Sequence, residues 1–284
     1  MYKFPIGAIL ESFRTDTKTA ISIAAKMGVK GLQMYGTKGE HAPENFSRED
    51  RKELLKMVQA EGMCFSAICG DLGRGFGYPE RNEMMIERSK MILDMAKDLD
   101  TNIVTTHIGV VPSDPNHDRY KIMQEACYKL AEYADSIDAH FAVETGPETA
   151  AELKTFLDSL NSHGVGVNLD PANLCMVTGD DPVAAVYTLK DYIVHTHAKD
   201  GIKLLDCNPE FIYHVVHPVP EEIKGIQYFK EVPLGTGSVP FVEYLKALDD
   251  IGYRGFLTIE RECGDTPVDD IQIAYNHLSS IINN

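Results

Sequence analysis

Residues Val194–Gly201 read VHTHAKDG and end an apolar, strand-like run with two histidines, a lysine and an aspartate. Successive side chains of a strand point to opposite faces, so His195 and His197 share one face and Val194 lies on the other. The apolar face suits packing against helices, and the polar face must then point inward and toward the strand end. We therefore predict a strand whose polar end forms part of a functional site.

The rest of the chain repeats this kind of strand, each time followed by a segment of helical period. The predicted strands cover residues 4–10, 29–34, 63–68, 102–107, 140–144, 165–170, 192–197 and 255–260. The predicted helices cover residues 17–27, 48–61, 80–99, 120–136, 182–190, 240–251 and 268–282, with one more inside 147–163. Eight parallel strands close a barrel, so residues 1–284 are predicted to form one α/β domain, a (β/α)8 TIM barrel. The rival, a doubly wound open sheet, lacks its GxGxxG turn after the first strand.

The charge balance argues against nucleic acid as a partner. The 284 residues include 27 Lys and Arg against 43 Asp and Glu, a formal net charge of −16. Such a chain repels a phosphate backbone unless a local basic patch overcomes the repulsion. The sequence shows no such patch.

Hydropathy and cysteine usage indicate a reducing, aqueous compartment. The longest apolar runs are far shorter than a bilayer span, and no basic-then-apolar leader precedes the first strand. The six cysteines are scattered without CxxC or zinc-finger spacing, as reduced thiols are. A cytoplasmic protein without a membrane partner is expected.

Five predicted strands carry polar side chains on the face that points into the barrel. Glu144, for example, lies opposite Phe141 and Val143. The strand ends together gather His107, Glu144, Asp170, His195, His197 and Glu260. Three carboxylates this close raise one another's pKa unless a positive charge compensates them. A divalent cation is the simplest solution, and the mixed oxygen and nitrogen ligands suit Mn, Zn, Co, Fe or Mg.

Long connections follow three of the strands and therefore lie at the face where such barrels carry their sites. One of them, Gly70–Gly77, is predicted to be either a lid, with Arg74 or Phe76 closing over a substrate, or merely a flexible loop. A separate glycine turn, GTGS at Gly235–Ser238, could bind a phosphate through its backbone amides. A tight turn in which Ser238 caps the next helix explains the same residues.

Five motifs, VETG, NLDPANL, HTHAKD, LGTGSVPF and LTIE, occur in this order along the chain. In these motifs, and over essentially its whole length, the chain resembles the xylose isomerase-like superfamily of TIM barrels, which includes tagatose 3-epimerase-like enzymes and inosose isomerases. The resemblance implies one divalent metal ion, with Mn or Zn favoured, bound by Glu144, Asp170, His197 and Glu260. It also implies that Glu144 and Glu260 exchange protons with a sugar, a sugar phosphate or a cyclic polyol.

Such a pair of glutamates has a chemical reason. Isomerising or epimerising a sugar removes a proton beside a carbonyl, and a metal that polarises the carbonyl and hydroxyl oxygens stabilises the resulting enediolate. A carboxylate on each side of the substrate supplies the base and the acid. His195 lies one inward step deeper than His197 and is predicted to play a supporting role.

The resemblance also implies substrate contacts at Asn173 and Lys203 and a contact with substrate or a further metal at His107, and Lys199 is a further candidate for binding substrate. His107 could equally make a structural hydrogen bond, and Lys199 could form an ion pair at the rim. Many relatives have a histidine in place of Asn173, and some have an arginine in place of Lys203, so the identity of the sugar stays open.

The leading hypothesis is a metal-dependent sugar isomerase or epimerase, expected by resemblance to form a homodimer or homotetramer. The alternative from another class is a metal phosphodiesterase like endonuclease IV, which would need additional histidines and a basic surface. Asn173 and the net charge of −16 argue against it. A lyase or dehydratase that uses the same metal site and the same enediolate is closer. A non-catalytic sugar-binding barrel would leave the proton-transfer pair unexplained.

Overall fold

A closed barrel of eight parallel strands organises the computed structural model, which describes residues 2–216 and 218–284. The strands are β1 (Ile6–Ile9), β2 (Gly31–Tyr35), β3 (Cys64–Cys69), β4 (Ile103–Thr106), β5 (His140–Glu144), β6 (Val165–Leu169), β7 (Ile193–Ala198), β8 (Asp200–Lys203), β9 (Phe229–Val232) and β10 (Leu257–Ile259). The barrel contains β1 to β7 in order, and β10 closes the ring between β7 and β1. The predicted (β/α)8 TIM barrel is confirmed.

Helices surround this barrel and connect its strands. They are α1 (Thr17–Met27), α2 (Arg48–Ala60), α3 (Pro79–Asp98), α4 (Asp118–Ser136), α5 (Ala150–Asp158), α6 (Pro171–Asn173), α7 (Pro182–Thr188), α8 (Pro209–Ile212), α9 (Phe241–Asp250) and α10 (Pro267–Asn283). Ser47 caps α2 by accepting a hydrogen bond from the Asp50 N–H, as predicted. Within the described ranges, no helix is both long and apolar enough to cross a bilayer.

The polar faces of the strands point into the barrel, as the alternation predicts. Gln33 on β2 donates to Thr105 on β4 over 3.2 Å, although β3 lies between these two strands. Gln33 also contacts His197 on β7, across the barrel. Such bonds are possible only through the interior, so these polar side chains face inward and the apolar face packs against the helices.

Several predicted boundaries differ from the structure. The first strand ends at Ile9, and a 3₁₀ turn over Leu10–Phe13 follows. Helical backbone begins directly after Asp170 as α6 and continues as a π-helical turn over Leu174–Thr178. Residues 201–233, which the sequence predicts to be a long irregular connection, include most of β8 and all of β9, which pair as an antiparallel hairpin. These hairpin strands are short, charged and partly exposed, so they lack the alternation that reveals a strand.

The connection Gly70–Gly77 is packed against the barrel. The Phe76 side chain is 1% exposed, and its ring lies 6.0 Å from the ring of Phe141. Its N–H donates to the carbonyl of Ile108, and a Cβ on Gly75 would lie 1.9 Å from that same oxygen. The expectation that Phe76 closes over a substrate is therefore wrong, because its ring already belongs to the core.

Candidate metal and active site

Four predicted ligands, Glu144, Asp170, His197 and Glu260, meet at the carboxyl ends of β5, β6, β7 and β10. One ligand atom from each residue lies within 4.8 Å of those of the other three. His197 Nδ1 is 3.5 Å from Glu144 Oε1, 3.4 Å from Asp170 Oδ2 and 3.1 Å from Glu260 Oε2. None of these residues is more than 8% exposed. Four strands that are consecutive around the barrel thus deliver the quartet that the sequence predicts.

Asp170 owes its position to the short helix that follows it. Its Oδ1 accepts a hydrogen bond from the Asn173 N–H over 2.9 Å and so caps α6, which leaves Oδ2 facing the quartet. Pro171 at the first helical position fits this cap, because it has no N–H to satisfy there. Thr145 holds the Asp170 backbone through two bonds of 2.8 and 2.9 Å. The LDPAN sequence therefore fixes one carboxylate oxygen and frees the other.

His197 presents Nδ1 to the carboxylates, and its other ring nitrogen meets Gln33. His197 Nε2 lies 3.0 Å from Gln33 Oε1, and Gln33 Nε2 donates to Thr105 Oγ1. An amide oxygen accepts only, so this contact places the proton on Nε2 and leaves the Nδ1 lone pair for a metal. Asn168 Nδ2 also lies 3.2 Å from His197 Nε2 and 3.5 Å from His197 Nδ1, but it cannot donate to both nitrogens at once.

A second chain of hydrogen bonds orients Glu144. Asn168 Nδ2 donates to Glu144 Oε2 over 3.2 Å, which turns Asn168 Oδ1 toward His195 Nδ1 at 2.9 Å. His195 must therefore carry its proton on Nδ1, and its Nε2 accepts from Thr258 Oγ1 over 2.9 Å. Burial lowers the pKa of His195 well below the usual range, which agrees with a neutral ring. A metal bound at His197 Nδ1 would therefore leave the two histidines of the HTHAKD motif as opposite tautomers.

The charges of the quartet depend on one another. Burial lowers the pKa of His197, but Glu260 and Glu144 outweigh this effect and raise it well above the usual range. Burial raises the pKa of Asp170. Burial also opposes ionisation of Glu260, yet Lys199 and His197 hold its pKa well below the usual range. Three buried carboxylates therefore require positive charge among them.

The donor set fits a divalent cation. Three carboxylates and one imidazole provide the mixed oxygen and nitrogen ligands that such ions accept. Glu260 Oε2 lies 3.1 Å from both His197 Nδ1 and Lys199 Nζ, yet it makes a well-directed hydrogen bond with neither. A buried oxygen without a donor is unusual in a folded protein, and a cation at this point would satisfy it.

Lys199 lies behind Glu260. Its Nζ is 2.6 Å from Glu262 Oε2 and 3.1 Å from Glu260 Oε2, and its side chain is buried whereas that of Glu262 is half-exposed. Burial opposes a charge on this lysine, but Glu260 and Asp170 raise its pKa well above the usual range. Lys199 lines the cavity as a permanent cation that is already paired with carboxylates.

The other predicted substrate contacts are divided between two places. His107 lies one residue past β4 with Nε2 3.6 Å from Glu144 Oε1, and Asn173 Nδ2 donates to the same oxygen over 3.1 Å. Both line the cavity that contains the quartet. Lys203 lies outside this cavity and pairs with Asp206 over 2.8 Å. The fold therefore brings His107, Asn173 and Lys199 to the site and keeps Lys203 away from it.

The glycine turn Gly235–Ser238 binds a carboxylate of the chain itself. The N–H groups of Gly235 and Gly237 donate to Asp200 Oδ2 over 3.0 and 2.8 Å, and the N–H of Val239 donates to Oδ1 over 3.1 Å. A Cβ on Gly237 would lie 2.2 Å from Asp200 Oδ1, so this position requires glycine. The amides that could have held a phosphate are occupied.

The quartet opens into a cavity of about 990 Å³. Residues that the sequence did not single out line much of it: Gln33, Tyr35, Met176, Val177, Ile212, Tyr213 and Phe229. The ring of Tyr213 lies 5.0 Å from that of His107, at the edge of the site. Gln33 could have been found, because it is the one amide within the apolar strand GLQMY. Tyr213 and Phe229 come from a stretch whose sequence carries no comparable signal.

Comparisons with known proteins agree with this geometry. The family model described as xylose isomerase-like TIM barrel matches residues 21–281. A Haemophilus influenzae protein, assigned by name to L-ribulose-5-phosphate 3-epimerase activity, is 25% identical over 226 residues, 76% of this chain and 72% of its own. An inosose dehydratase of Clostridium botulinum is 25% identical over 151 residues, 52% of this chain and 48% of its own.

A solved structure, a xylose isomerase domain protein of Planctomyces limnophilus, superimposes with a TM-score of 0.79 at 25% identity. The superposition covers 99% of this chain and 97% of the other. The closed barrel of the present chain and the family match over residues 21–281 show that the chain belongs to the xylose isomerase-like TIM barrel family.

Proposed function

We propose that the protein is a sugar isomerase or epimerase that requires one divalent metal ion, with Glu144 and Glu260 as the proton-transfer pair. The observation that carries this proposal is the buried quartet of Glu144, Asp170, His197 and Glu260 at the base of a large cavity. The relative assigned to an epimerase activity supports it. The quartet would hold Mn, Zn, Co, Fe or Mg; its three carboxylates suit Mn, and its imidazole suits Zn.

The chain's own groups can carry out both proton transfers. β6 and β7 separate the strands of Glu144 and Glu260, so these carboxylates can face a sugar from two sides. One removes the proton beside the carbonyl, and the other returns a proton to the neighbouring carbon or to the opposite face. Asn173 and Asn168 hold Glu144, and Lys199 holds Glu260, so neither carboxylate needs to reorient. A bound divalent cation would polarise the sugar's carbonyl and hydroxyl oxygens.

Solvent exchange tests this proposal without knowledge of the natural sugar. The Mn-loaded protein, incubated in D₂O with a panel of ketoses, should incorporate deuterium beside the carbonyl, which NMR detects. Exchange at C1 would indicate an isomerase, and exchange at C3 would indicate a 3-epimerase. A panel without exchange or conversion would argue against proton transfer at this site.

The glutamate pair has its own test. Glu260→Gln should reduce exchange at least a hundredfold, because an amide cannot take up the proton, and the far-ultraviolet circular dichroism should stay unchanged. Glu243→Gln, an exposed position on α9, is the matched control and should exchange at the wild-type rate. Wild-type exchange by Glu260→Gln would contradict the assignment of this glutamate.

A dehydratase is the second candidate, favoured by the match to an inosose dehydratase. Loss of water from the same enediolate would need an acid to protonate the leaving hydroxyl, and His107 lies 3.6 Å from Glu144 at the edge of the cavity. Deuterium exchange with recovery of an isomeric sugar would support the isomerase or epimerase. Formation of an unsaturated or deoxy carbonyl product by NMR would support the dehydratase. A nuclease-like phosphodiesterase stays the least favoured alternative, given the net charge of −16.

A further inference from the structure

The proposed function does not identify the sugar, but the shape of the cavity restricts the class of substrate. We propose that the substrate is a sugar conjugate in which the sugar carries an uncharged, partly apolar substituent. The sugar lies over Glu144 and Glu260, and the substituent packs against an apolar wall. This wall consists of Met176, Val177, Ile212, Tyr213 and Phe229. The inference rests on the proposed function, because it takes the quartet as the place where the sugar reacts.

The size of the cavity is the first argument. Its volume of about 990 Å³ lies at the upper end of the range of about 300–1,000 Å³ found for pockets that enclose drug-sized ligands. A single sugar ring is smaller than such a ligand and leaves much of this volume empty. A second chemical group attached to the sugar would fill it.

The direction of the hairpin is the second argument. Asp200, next to Lys199, pairs with Val232, and Lys203 pairs with Phe229. Three residues of strand separate Val232 from Phe229, about 10 Å at roughly 3.3 Å per residue. Both residues line the cavity, which therefore extends along the hairpin beyond the level of Lys199. A substituent that extends from the sugar in this direction would contact Phe229.

The chemistry of this wall is the third argument. Met176 and Val177 come from the π-helical turn after Asp170, Ile212 and Tyr213 from the end of α8, and Phe229 from β9. Three separate segments thus contribute apolar residues to the lining of the cavity. Burial of apolar surface against such a wall favours an apolar group in proportion to the area removed from water. A hydroxyl-covered second sugar would gain much less.

The charges oppose a phosphate as the substituent. The buried cations of the cavity, Lys199 and Arg261, are already paired: Lys199 with Glu260 and Glu262, Arg261 with Glu231 and Asp270. Asp200 occupies the amides of the Gly235–Ser238 turn. Lys38 and Lys230 line the cavity as exposed side chains, where water screens their attraction for an anion.

Three forms of one ketose test the inference. D-fructose, its 1- and 6-phosphates and its 1- and 6-O-benzyl ethers share the same sugar and differ only in the substituent. Isothermal titration of the Mn-loaded protein should show one benzyl ether binding at least tenfold more tightly than D-fructose, and neither phosphate binding more tightly than D-fructose. Phe229→Ala should reduce the benzyl advantage to about twofold, and Ile212→Asn should reduce it in the same direction. Ile226→Ala, an exposed apolar position that does not line the cavity, should preserve it.

The outcomes separate this inference from the function on which it rests. Equal or weaker binding of both benzyl ethers, or tighter binding of a phosphate, would overturn the conjugate, whether or not ketoses exchange deuterium. A benzyl advantage that depends on Phe229, in a protein that exchanges no sugar proton, would support the apolar wall and contradict the proposed proton transfer. A benzyl advantage that survives both Phe229→Ala and Ile212→Asn would place the substituent elsewhere and overturn the inference.

Discussion

A histidine binds a metal through one ring nitrogen, and the hydrogen bond made by the other nitrogen selects which one is free. In this protein the selecting group for His197 is Gln33, which belongs to the opposite side of the barrel. Thr105 in turn holds the Gln33 amide in one orientation. The orientation of His197, the predicted metal ligand, therefore depends on an amide that lies 164 residues earlier in the chain.

Replacing Gln33 should weaken the metal site without removing a ligand. Gln33→Met keeps the length of the side chain but removes the acceptor for the His197 Nε2–H. We expect the affinity for Mn or Zn to fall about tenfold to a hundredfold, the range for changes to groups that orient metal ligands. A competition titration with a chelator measures this affinity. Gln33→Glu restores an acceptor and should recover most of it, whereas equal affinities for wild type and Gln33→Met would contradict the role.

Glu148 is a buried acid away from the quartet, and it should make the fold less stable as the pH rises. Its side chain is 5% exposed, Val111 N–H donates to Oε2 over 3.3 Å, and burial raises its pKa to about 8. The carboxyl is therefore protonated in the folded protein at neutral pH but ionised in the unfolded chain. Its contribution to stability is complete below its pKa in the unfolded chain, near 4.5, and is lost as pH rises toward 8.

The matching measurement is the free energy of unfolding against pH. Between about pH 5 and pH 8 the wild type should lose up to about 1.4 kcal/mol per pH unit from this group, a few kcal/mol altogether. Glu148→Gln, which cannot ionise, should lack this component, so its stability relative to the wild type should increase with pH. If the difference in the free energy of unfolding between the two proteins, measured by urea denaturation, does not change with pH across this range, Glu148 ionises at its ordinary pKa.

At the scale of elements, the hairpin of β8 and β9 joins the barrel through Asp200. This residue directly follows Lys199, and its carboxylate binds three amides of the Gly235–Val239 turn before α9. One side chain thus connects the start of the hairpin to the segment that follows its end. The apolar wall of the cavity depends on this connection, because Phe229 lies on the hairpin.

Removing that carboxylate should destabilise the turn more than a surface change would. Asp200→Ala leaves three amide donors without their charged acceptor, and we expect a loss of about 2–4 kcal/mol in the free energy of unfolding. Asp206→Ala, a fully exposed acid on the same connection, is the control and should change it by less than about 0.5 kcal/mol. Differential scanning calorimetry measures both, and equal melting temperatures for the two variants would contradict the anchoring role.

The elements that the sequence predicts and those that it misses differ in their physical origin. Barrel strands alternate between an apolar helix-facing side and a polar interior, so their number and the facing of Glu144 and His197 could be read directly. Only half of the residues in the hairpin strands DGIK and FKEV are buried, and both strands carry charges. Tertiary contacts rather than a sequence pattern therefore determine these strands. The occupied Gly235–Ser238 turn could not be foreseen either, because nothing local reveals that Asp200 reaches it.

At the scale of the whole molecule, three strands bring three buried carboxylates together and a fourth adds His197, and the fold should be more stable with a cation among them. The metal-binding role of the quartet stays a prediction, as do the expected dimer or tetramer and the extent of the domain over residues 1–284. The eightfold repeat of strand and helix was sufficient to predict the barrel, because a parallel barrel of this type is built from eight such units. Tyr213 lines the cavity from a connecting segment, and the repeat of strands and helices gives no indication of it.

Adding metal should raise the melting temperature. A ligand at a hundred times its dissociation constant stabilises the folded state by about 2.7 kcal/mol, which corresponds to roughly 5 °C or more for a protein of this size. Differential scanning fluorimetry with increasing Mn or Zn measures the shift. The Asp170→Ala, His197→Ala double variant should show none, and an unchanged shift in that variant would contradict the ligand assignment.

The separation of β8 and β9 from the barrel has a consequence for how this protein could change. Residues 201–233 contribute Ile212, Tyr213 and Phe229 to the cavity but none of the quartet, and both ends of this segment meet at Asp200 and its turn. A segment whose two ends lie close together can be exchanged for another of different length, provided that the replacement keeps Glu231, which accepts hydrogen bonds from the backbone N–H groups of Glu262 and Cys263 just after Glu260. In the proposed function, part of the substrate-contacting wall and the proton-transfer pair therefore lie in different segments of the chain, and the hairpin could vary while the pair is preserved.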